Sequence, residues 1–407
     1  MTGGKFIAWV VGAQVLAQIG AQALPALLPG VIAAWHLSKT EAGWLVGVFF
    51  VGYVAAVPVL VSLTDRLPAR NVYMFGAACA AVSQLGFAFV ADGFWSGMVF
   101  RVLGGIGWAG NYMVGLKAIA DTVEGDAQSR AVSWHAAGSG IAGATSFAVA
   151  GLFDALAGPS AAFAFGGFAA IGSGVIAFAI MARTAPVQAK AGGGRKLLDF
   201  RPVFRNRRAM AWIAGYTVHT WELAALRAWS VTFLNVTAAR LGAPAWLPSP
   251  TILASLIGLV CIAVSVTGNE TAQRYGRARV VVVAMSCAAS LSVITGWMTG
   301  VGFILAVALV LIWNMAIYID SSALTAGTVQ AADKDLRGAT MGLHSMCGYT
   351  GGFLGPLGVG IFLDIIGDTP LGWGLAFGHL AVVTLIGLTL VRRLGRVPVQ
   401  RGTSASL

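Results

Sequence analysis

Long apolar stretches, each about the length of a membrane-spanning helix, recur along the whole chain. A bilayer core about 30 Å thick requires roughly 20 mostly apolar residues per helix. The predicted spans are residues 6–33, 42–62, 71–91, 95–119, 131–153, 160–182, 209–236, 249–268, 279–298, 301–326, 339–363 and 371–391. None of them shows the alternating apolar and polar pattern of a barrel strand, and lipid offers an open backbone no hydrogen-bond partner. The pattern therefore predicts an all-α membrane protein with twelve transmembrane helices.

The composition and the distribution of charge agree with this prediction. The sequence is 57% hydrophobic and 10% charged, whereas about a quarter of the residues are charged in a typical soluble domain. The net charge of +11 does not indicate nucleic-acid binding, because almost all Lys and Arg residues fall in one set of loops. The exceptions are Lys39 and Arg240 in the other loops, and Arg101, Lys117 and Arg227 within spans. This bias predicts a multi-pass protein of the cytoplasmic (inner) membrane with both termini in the cytoplasm.

One long hydrophilic break divides the spans into two sets of six. It covers residues 183–208 and contains a Gly run and eight basic residues. We expect an N-terminal bundle at 1–184, a basic cytoplasmic linker at 185–208, a C-terminal bundle at 209–393 and a cytoplasmic tail at 394–407. "TDRLPARNV" after the second span aligns with "AQRYGRARV" after the eighth. This echo is consistent with related halves, a common design in transporters, although chance similarity between basic loops remains an alternative.

Two short motifs connect the chain with a known family. The segment "VSLTDRLPAR" (61–70) follows the pattern G-x-L-a-D-r-x-G-r-k of the major facilitator superfamily, except that Val61 and Pro68 stand at the two glycine positions. The fourth span contains a second family motif, "RVLGGIGWAG" (101–110). The chain thus resembles a major facilitator transporter over essentially its full length. The resemblance implies two pseudo-symmetric six-helix bundles that rock about a central solute site to give alternating access.

The resemblance also suggests gating residues. The loop that follows the second span matches the family's inner gate at Asp65, Arg66 and Arg70, although placement of basic residues for topology alone is an open alternative. The eleventh span contains "GGFLGPLGVG", in which Gly355 and Pro356 form a Gly-Pro pattern. Drug antiporters of the family carry this pattern on the fifth span, which has no proline here. The pattern therefore favours uptake over drug efflux.

Ionisable side chains inside the seventh span are the strongest signal for a site. Residues 215–234, "GYTVHTWELAALRAWSVTFL", include His219, Glu222 and Arg227. An intramembrane charge costs a few kcal/mol on insertion scales, so it usually faces a cavity or a partner. Glu222 follows His219 by three residues on nearly the same face, whereas Arg227 lies about 140° around the helix from Glu222. A direct bridge between Glu222 and Arg227 is therefore unfavourable.

Further polar and aromatic candidates lie mostly in the first, fourth, seventh and tenth spans, which line the cavity in the family. Gln14, Gln18 and Gln22 form a stripe along one face of the first helix. The remaining candidates for substrate binding or coupling are Arg101, Asn111, His135, Trp313, Asn314, Tyr318, Asp320 and His344.

Each candidate role has an alternative that the sequence leaves open. Glu222 can carry a coupling proton, or it can form a structural ion pair with Arg101 or Arg227. The two arginines can bind a carboxylate, while family resemblance also allows proton transfer or packing for Arg101. Asp320 can simply reach the interface, the histidines can be buried and neutral, and the aromatic and amide side chains can serve packing.

These features together predict a secondary transporter for a small organic solute, most simply an organic anion taken up with protons. A proton-coupled efflux pump for drugs or metabolites is the main alternative, and a membrane-embedded enzyme or a transporter-like sensor is a remote one. The sequence contains no phosphate-binding G-x-x-x-x-G-K-[ST] motif and no H-E-x-x-H or G-x-S-x-G motif. We therefore expect no enzyme activity, no cofactor or metal, and a monomer whose partners are the solute, protons and the lipid bilayer.

Overall fold

The structure, a computed structural model, describes residues 3–123, 125–181 and 200–395, and all regular secondary structure in these ranges is helical. The helices are α1 (Gly3–Gln18), α2 (Ala23–Ala34), α3 (Lys39–Leu63), α4 (Ala69–Phe89), α5 (Phe94–Thr122), α6 (Gly125–Ala157), α7 (Pro159–Ile180), α8 (Arg201–Arg205), α9 (Arg207–Leu241), α10 (Pro250–Tyr275), α11 (Arg277–Gly296), α12 (Phe303–Ala331), α13 (Arg337–Ile366) and α14 (Pro370–Gly395). Residues 185–199 of the predicted linker and 396–407 of the predicted tail lie outside the described residues.

Each predicted span coincides with a long helical segment, which confirms the all-α membrane fold. Ten segments are long and apolar enough to cross a bilayer, with α1 and α2 together counting as one, Gly4–Ala34. The two remaining long helices, α5 with 29 residues and α9 with 35 residues, are also long enough. They carry Arg101, Glu222 and Arg227 in their interiors, so they are less apolar than the others. The helices are therefore consistent with twelve membrane crossings. Helices α5 and α9, which correspond to the fourth and seventh predicted spans, carry charged residues in their interiors.

The first span is interrupted, whereas the sequence pattern predicts one continuous helix over 6–33. A turn over 19–22 separates α1 from α2. Gly20 packs directly on Gly166 of α7, where an added Cβ would lie 2.9 Å from the Gly166 Cα. Side chains satisfy backbone groups that the turn leaves free: Gln84 Nε2 donates to the Gly20 carbonyl at 2.9 Å, and the backbone N–H of Gln22 donates to Ser146 Oγ at 3.0 Å. A helix break is tolerated within a bilayer only when such partners are present.

Local signals in the sequence determine several helix ends. Ser38 begins α3 with a capping box, in which its hydroxyl accepts from the Glu41 amide and the Glu41 carboxylate accepts from the Ser38 amide. Gly242 and Gly367, with φ of 75° and 92°, follow α9 and α13. Glycine adopts this left-handed conformation without strain, so the chain turns sharply after these helices. The resulting short loops keep neighbouring helices antiparallel.

The long helices pack as two groups. Helices α1 to α7 contact one another, as do α9 to α14, and the groups meet where α3 packs on α13, α6 on α10 and α2 on α9. An even number of crossings puts both chain ends on one face, which we call the terminal face. On the other side, the opposite face, Gly360 of α13 packs against Lys39 of α3, and Gly151 of α6 packs against Thr251 of α10. The two groups are therefore closed against each other at the opposite face.

Candidate functional site

A central cavity of about 200 Å³ lies between the two helix groups. Its walls come from α1, α2, α3, α5 and α6 on one side and from α9, α12 and α13 on the other. Five of the polar candidates from the sequence line it: Gln18, Gln22, Arg101, His219 and Arg227. The cavity thus combines polar side chains from both groups, as expected for a solute site between two moving bundles.

Arg101 is held against α3 at the edge of the cavity. Its Nε donates to the Leu45 carbonyl at 3.0 Å, and Nη2 donates to the Val46 carbonyl at 3.4 Å. Its guanidinium lies over the Phe49 ring, with Cζ 4.7 Å from the ring centroid. Only 5% of the residue is exposed. These contacts fix the position of the charge and use part of its hydrogen-bonding capacity within the protein.

Arg227 is the less constrained of the two arginines. It donates to the Tyr318 hydroxyl and lies 5.6 Å from the centroid of that ring. It forms no ion pair with a carboxylate in the described part of the chain. Because a guanidinium presents five donors in a planar fork, Arg227 retains donors for an anionic group in the cavity.

His219 and Asp320 form a buried pair beside the cavity. The His219 Nδ1 and Asp320 Oδ1 atoms are 2.7 Å apart, and the two side chains are 2% and 4% exposed. His219 contacts the cavity, whereas Asp320 lies behind it on α12. This arrangement brings a carboxylate of α12 against a histidine that lines the cavity.

Glu222 lies outside the cavity lining. Its Oε1 accepts from Trp313 Nε1 at 2.6 Å, and its Oε2 accepts from Thr384 Oγ1 at 3.0 Å. Both partners come from other helices of the same group, α12 and α14. The alternative ion pair with Arg101 or Arg227 is not formed among the described residues. A coupling role for Glu222 stays a prediction.

The glutamine stripe of the first span faces α6 despite the turn between α1 and α2. Gln14 Nε2 donates to the His135 carbonyl at 3.2 Å, and Gln18 Oε1 accepts from Ser139 Oγ at 2.6 Å. The His135 ring lies 3.0 Å from the Tyr112 carbonyl. Gln14 and His135 therefore join helices of the first group, and Gln18 alone of these three reaches the cavity.

The remaining candidates lie at the margins of the site. His344 is within 3.0 Å of Thr328 Oγ1 and stacks on Tyr216 with 3.8 Å between ring centroids. Asn111 packs against Gly76 of α4. Asn314 and Tyr318 border a second, smaller compartment next to Arg227. None of these four candidates is part of the main cavity lining.

Several aromatic residues that line the cavity were not among the predicted site residues. They are Phe49, Phe50, Tyr112, Tyr216 and Tyr349; Trp108 of the fourth-span motif, an aromatic candidate from the sequence, lines the cavity as well. The two groups touch through them, since the Phe50 and Tyr349 rings stack with 5.7 Å between centroids. In the sequence, an aromatic residue within an apolar span looks the same whether it packs against a helix or faces a cavity. The pattern alone therefore offers no signal for these positions.

The predicted gating residues lie in two separate places. The side chain of Asp65 is 69% exposed, and its Oδ1 is 3.8 Å from Lys117 Nζ of the same helix group. Arg66 is exposed as well, and Arg70 lies over the Phe178 ring. Among the described contacts, this charged loop makes none with the second group.

Gly355 and Pro356 lie where α3, α9 and α13 meet. A Cβ added to Gly355 would be 2.1 Å from the Trp221 carbonyl oxygen, so only glycine allows this approach. The Pro356 carbonyl accepts from Trp229 Nε1 at 2.9 Å. A gating role for these two residues stays a prediction.

At the opposite face, Asp364 of α13 caps the start of α3. Its Oδ1 accepts from the Lys39 amide at 2.8 Å, and its Oδ2 accepts from the Thr40 amide at 2.7 Å. The Lys39 side chain adds an ion pair with Asp368 at 3.5 Å. A carboxylate at a helix N-terminus pairs with free N–H groups and with the positive end of the helix dipole. We call this contact the Asp364 latch; it was not predicted from the sequence.

The sequence and the fold both have counterparts among known proteins. A profile of the Major Facilitator Superfamily matches residues 10–356. An uncharacterized MFS-type transporter of Bacillus subtilis (strain 168), YwoD, is 26% identical over 118 residues, 29% of this chain and only 26% of that protein. A bacterial homolog of the human lysosomal transporter Spinster, solved in an inward-facing and occupied conformation, superposes with a TM-score of 0.79 at 14% identity over 97% of both chains. The nucleoside transporter NupG gives a TM-score of 0.77 at 13% identity, over 98% of this chain and 100% of its own.

Proposed function

The chain belongs to the major facilitator superfamily, and we propose that it takes up a small organic anion together with a proton. Family membership means secondary transport across a membrane. The nature of the solute, the coupling ion and the direction are the parts we propose. Movement of the two helix groups about the central cavity would expose the solute to one side and then to the other.

The charge of the cavity lining supports an anionic solute. Arg101, Arg227 and His219 line the cavity, and no Asp or Glu is among its lining residues in the described part of the chain. An uncompensated positive charge at low dielectric favours an anion over a cation. Arg227 is the proposed main ligand, because Arg101 already donates to two backbone carbonyls.

The aromatic wall supports an apolar or aromatic body on that solute. Phe49, Phe50, Trp108 and Tyr349 surround the space next to the arginines. Flat aromatic faces bury apolar surface and stack on rings. A monocarboxylate that carries a ring fits this combination better than a small dicarboxylate. Among the described residues, Arg227 has Tyr318 as its hydrogen-bond partner and keeps donors for one carboxylate, whereas Arg101 already donates to two carbonyls.

The His219–Asp320 pair supports proton coupling. An imidazole can bind and release a proton, and His219 lies at the cavity with the Asp320 carboxylate behind it. Protonation of the pair would add positive charge beside the bound anion. The solute and the proton would then favour each other's binding, which is the requirement for symport.

Counterflow in proteoliposomes tests the proposed solute class. The purified full-length protein would be assayed with aromatic monocarboxylates, aliphatic dicarboxylates and lipophilic cations. We expect exchange of the aromatic monocarboxylates, and we expect Arg227→Gln to weaken their apparent affinity by about tenfold or more through loss of a charge-assisted contact. Arg392→Gln, at an exposed position near the end of α14, is the matched control and should keep wild-type exchange.

The aromatic wall also fits the efflux of lipophilic compounds, which is the second candidate function. Exchange of lipophilic cations but not of carboxylates would reject the organic-anion proposal in favour of this one. Uptake would be distinguished from efflux by imposing an inward or an outward pH gradient on the same vesicles. Accumulation only when the gradient drives protons in the direction opposite to the solute would reject symport.

A further inference from the structure

A second compartment adjoins the main cavity, and Arg227 borders both. Its volume is about 20 Å³, and it lies between α6, α9, α10 and α12. A polar space needs roughly 10–15 Å³ of this kind of volume to hold one water molecule. The compartment is therefore large enough for a single water molecule or a monatomic ion, and too small for an organic solute.

The polar side chains around this compartment are all able to donate hydrogen bonds. They are Arg227, Ser230, Asn314 and Tyr318, and the remaining lining residues are apolar or glycine. The Tyr318 hydroxyl accepts from Arg227, so its own proton is available to a ligand. No Asp or Glu lines the compartment in the described part of the chain.

Asn314 is buried, and its side-chain oxygen has no hydrogen-bond partner among the described residues. Only 8% of the residue is exposed. A buried amide is expected to be satisfied by protein or by an ordered ligand. The atom without a partner is an acceptor, so an anion fits only after the amide rotates by 180°, which exchanges Oδ1 and Nδ2 and turns the N–H donors toward the compartment.

We propose that this compartment binds a small inorganic anion of the size of chloride, which serves as the counter-ion of Arg227. The proposal rests on the proposed function in one respect, namely that Arg227 is also the ligand of the organic anion. The guanidinium then faces two anions in turn. Bound chloride neutralises it in the empty transporter, and the organic solute competes with chloride for the same donors.

Thermal unfolding of the full-length protein in detergent tests the site without any solute. Chloride and bromide would be compared with gluconate at constant ionic strength. We expect a saturable rise in the unfolding temperature of about 2–4 °C in either halide, because a ligand that binds only the folded state stabilises it. An unfolding temperature equal in all three salts would overturn the inference.

Asn314→Asp is the informative variant, because it places a carboxylate where the anion is proposed to bind. We expect it to lose the halide-dependent shift while remaining at least as stable in gluconate as the wild-type protein. A halide shift that persists unchanged in Asn314→Asp would contradict the site. Bromide anomalous scattering from crystals of the wild-type protein locates the ion directly, and strong bromide density away from Arg227 would also overturn the inference.

These outcomes are independent of the proposed transport activity. If no halide binds, organic-anion counterflow still tests the solute class. Conversely, failure of all carboxylates to exchange leaves a halide-dependent unfolding temperature standing. If both hold, raising chloride on the side of solute binding should weaken the apparent affinity for the organic anion, and Asn314→Asp should remove that competition.

Discussion

Arg101 and Arg227 show two ways in which a membrane protein stabilises a cation far from bulk water. Arg101 donates to backbone carbonyls of α3 and lies over the Phe49 ring, so its charge is satisfied within one helix group. In the described part of the chain, Arg227 hydrogen-bonds the Tyr318 side chain alone, and it faces two cavities. The first contact is structural, and the second leaves the charge available to a ligand.

Two residues compete for the role of proton carrier, and substitutions separate them. Asp320→Asn removes the carboxylate behind His219, so we expect it to reduce pH-gradient-driven uptake by about tenfold or more while counterflow is kept. Glu222→Gln should keep coupling, because glutamine can accept from Trp313 and hydrogen-bond with Thr384 as the carboxylate does. Both are measured in the same proteoliposomes with and without a pH gradient.

The opposite result would assign coupling to Glu222, as the sequence pattern suggested. If Glu222→Gln abolishes driven uptake and Asp320→Asn does not, the His219–Asp320 pair is structural. Loss of both activities in either variant, with unchanged folding, would indicate a role in solute binding. The circular dichroism of each variant controls for folding.

The sequence predicts which helix each buried polar residue belongs to, but not what that residue faces. The spacing of His219 and Glu222 correctly places them on one side of α9. Their partners Asp320, Trp313 and Thr384 come from helices about 90 to 160 positions further along the chain. The rotation of each helix against its neighbours determines these pairs, and a single sequence contains no record of that rotation.

At the scale of helices, α3 and α13 form the main contact between the two groups. Glycines allow the close approach along this seam, with Gly47 against the Phe353 carbonyl and Gly360 against the Lys39 carbonyl. The Asp364 latch lies at the end of the seam. Small residues allow close approach between membrane helices, and the latch adds charged hydrogen bonds where the seam meets water.

Removal of the latch carboxylate should open the opposite face. We expect Asp364→Asn to shift the population toward a state open on that face by about 1 kcal/mol, since hydrogen bonds to a charged group become neutral ones. Spin labels at Trp95→Cys and Trp246→Cys, two exposed positions at that end of different groups, report the separation in a background without other cysteines. A longer mean distance in Asp364→Asn is the expected result.

Asp154→Asn is the matched control, because Asp154 lies near the same face on α6 and forms no ion pair among the described residues. Its distance distribution should equal that of the parent protein. An unchanged distribution in Asp364→Asn would show that close packing alone holds this face closed.

Helix positions followed from the apolar pattern, whereas the turn between α1 and α2 did not. The segment "IGAQ" at 19–22 contains no proline, and its residues continue an apolar run. The turn depends on Gln84 and Ser146, which supply hydrogen bonds from α4 and α6. Pro25 is a local signal, because it has no N–H to donate to the Ala21 carbonyl. The distant side chains that stabilise the break leave no mark in the sequence.

For the molecule as a whole, the glycine contacts and the Asp364 latch join the groups at the opposite face, and the Tyr53 and Tyr349 rings, 4.3 Å apart, join them past the middle of α3. The charged loop at Asp65 is exposed on the terminal face. The structure thus represents a state closed at the opposite face. With the orientation that the positive-inside bias predicts, the closed face is the external one. The orientation of the chain in the membrane therefore decides from which side the solute reaches the cavity.

Thiol labelling in intact cells tests that sidedness. A cysteine at Trp95 on the opposite face should react with a membrane-impermeant reagent added outside, and a cysteine at Arg207 on the terminal face should react only after the membrane is permeabilised. The opposite labelling pattern would invert the orientation and put the closed face on the cytoplasmic side.

The two partners of the Asp364 latch differ in how they tolerate substitution. The carboxylate of Asp364 meets two main-chain amides, and every residue except proline supplies such an amide. Replacement of Lys39 or Thr40 therefore leaves these two bonds in place, while any loss of the acid at 364 removes both. Selection for mutants whose opposite face opens more readily should recover substitutions at Asp364 far more often than at Lys39 or Thr40.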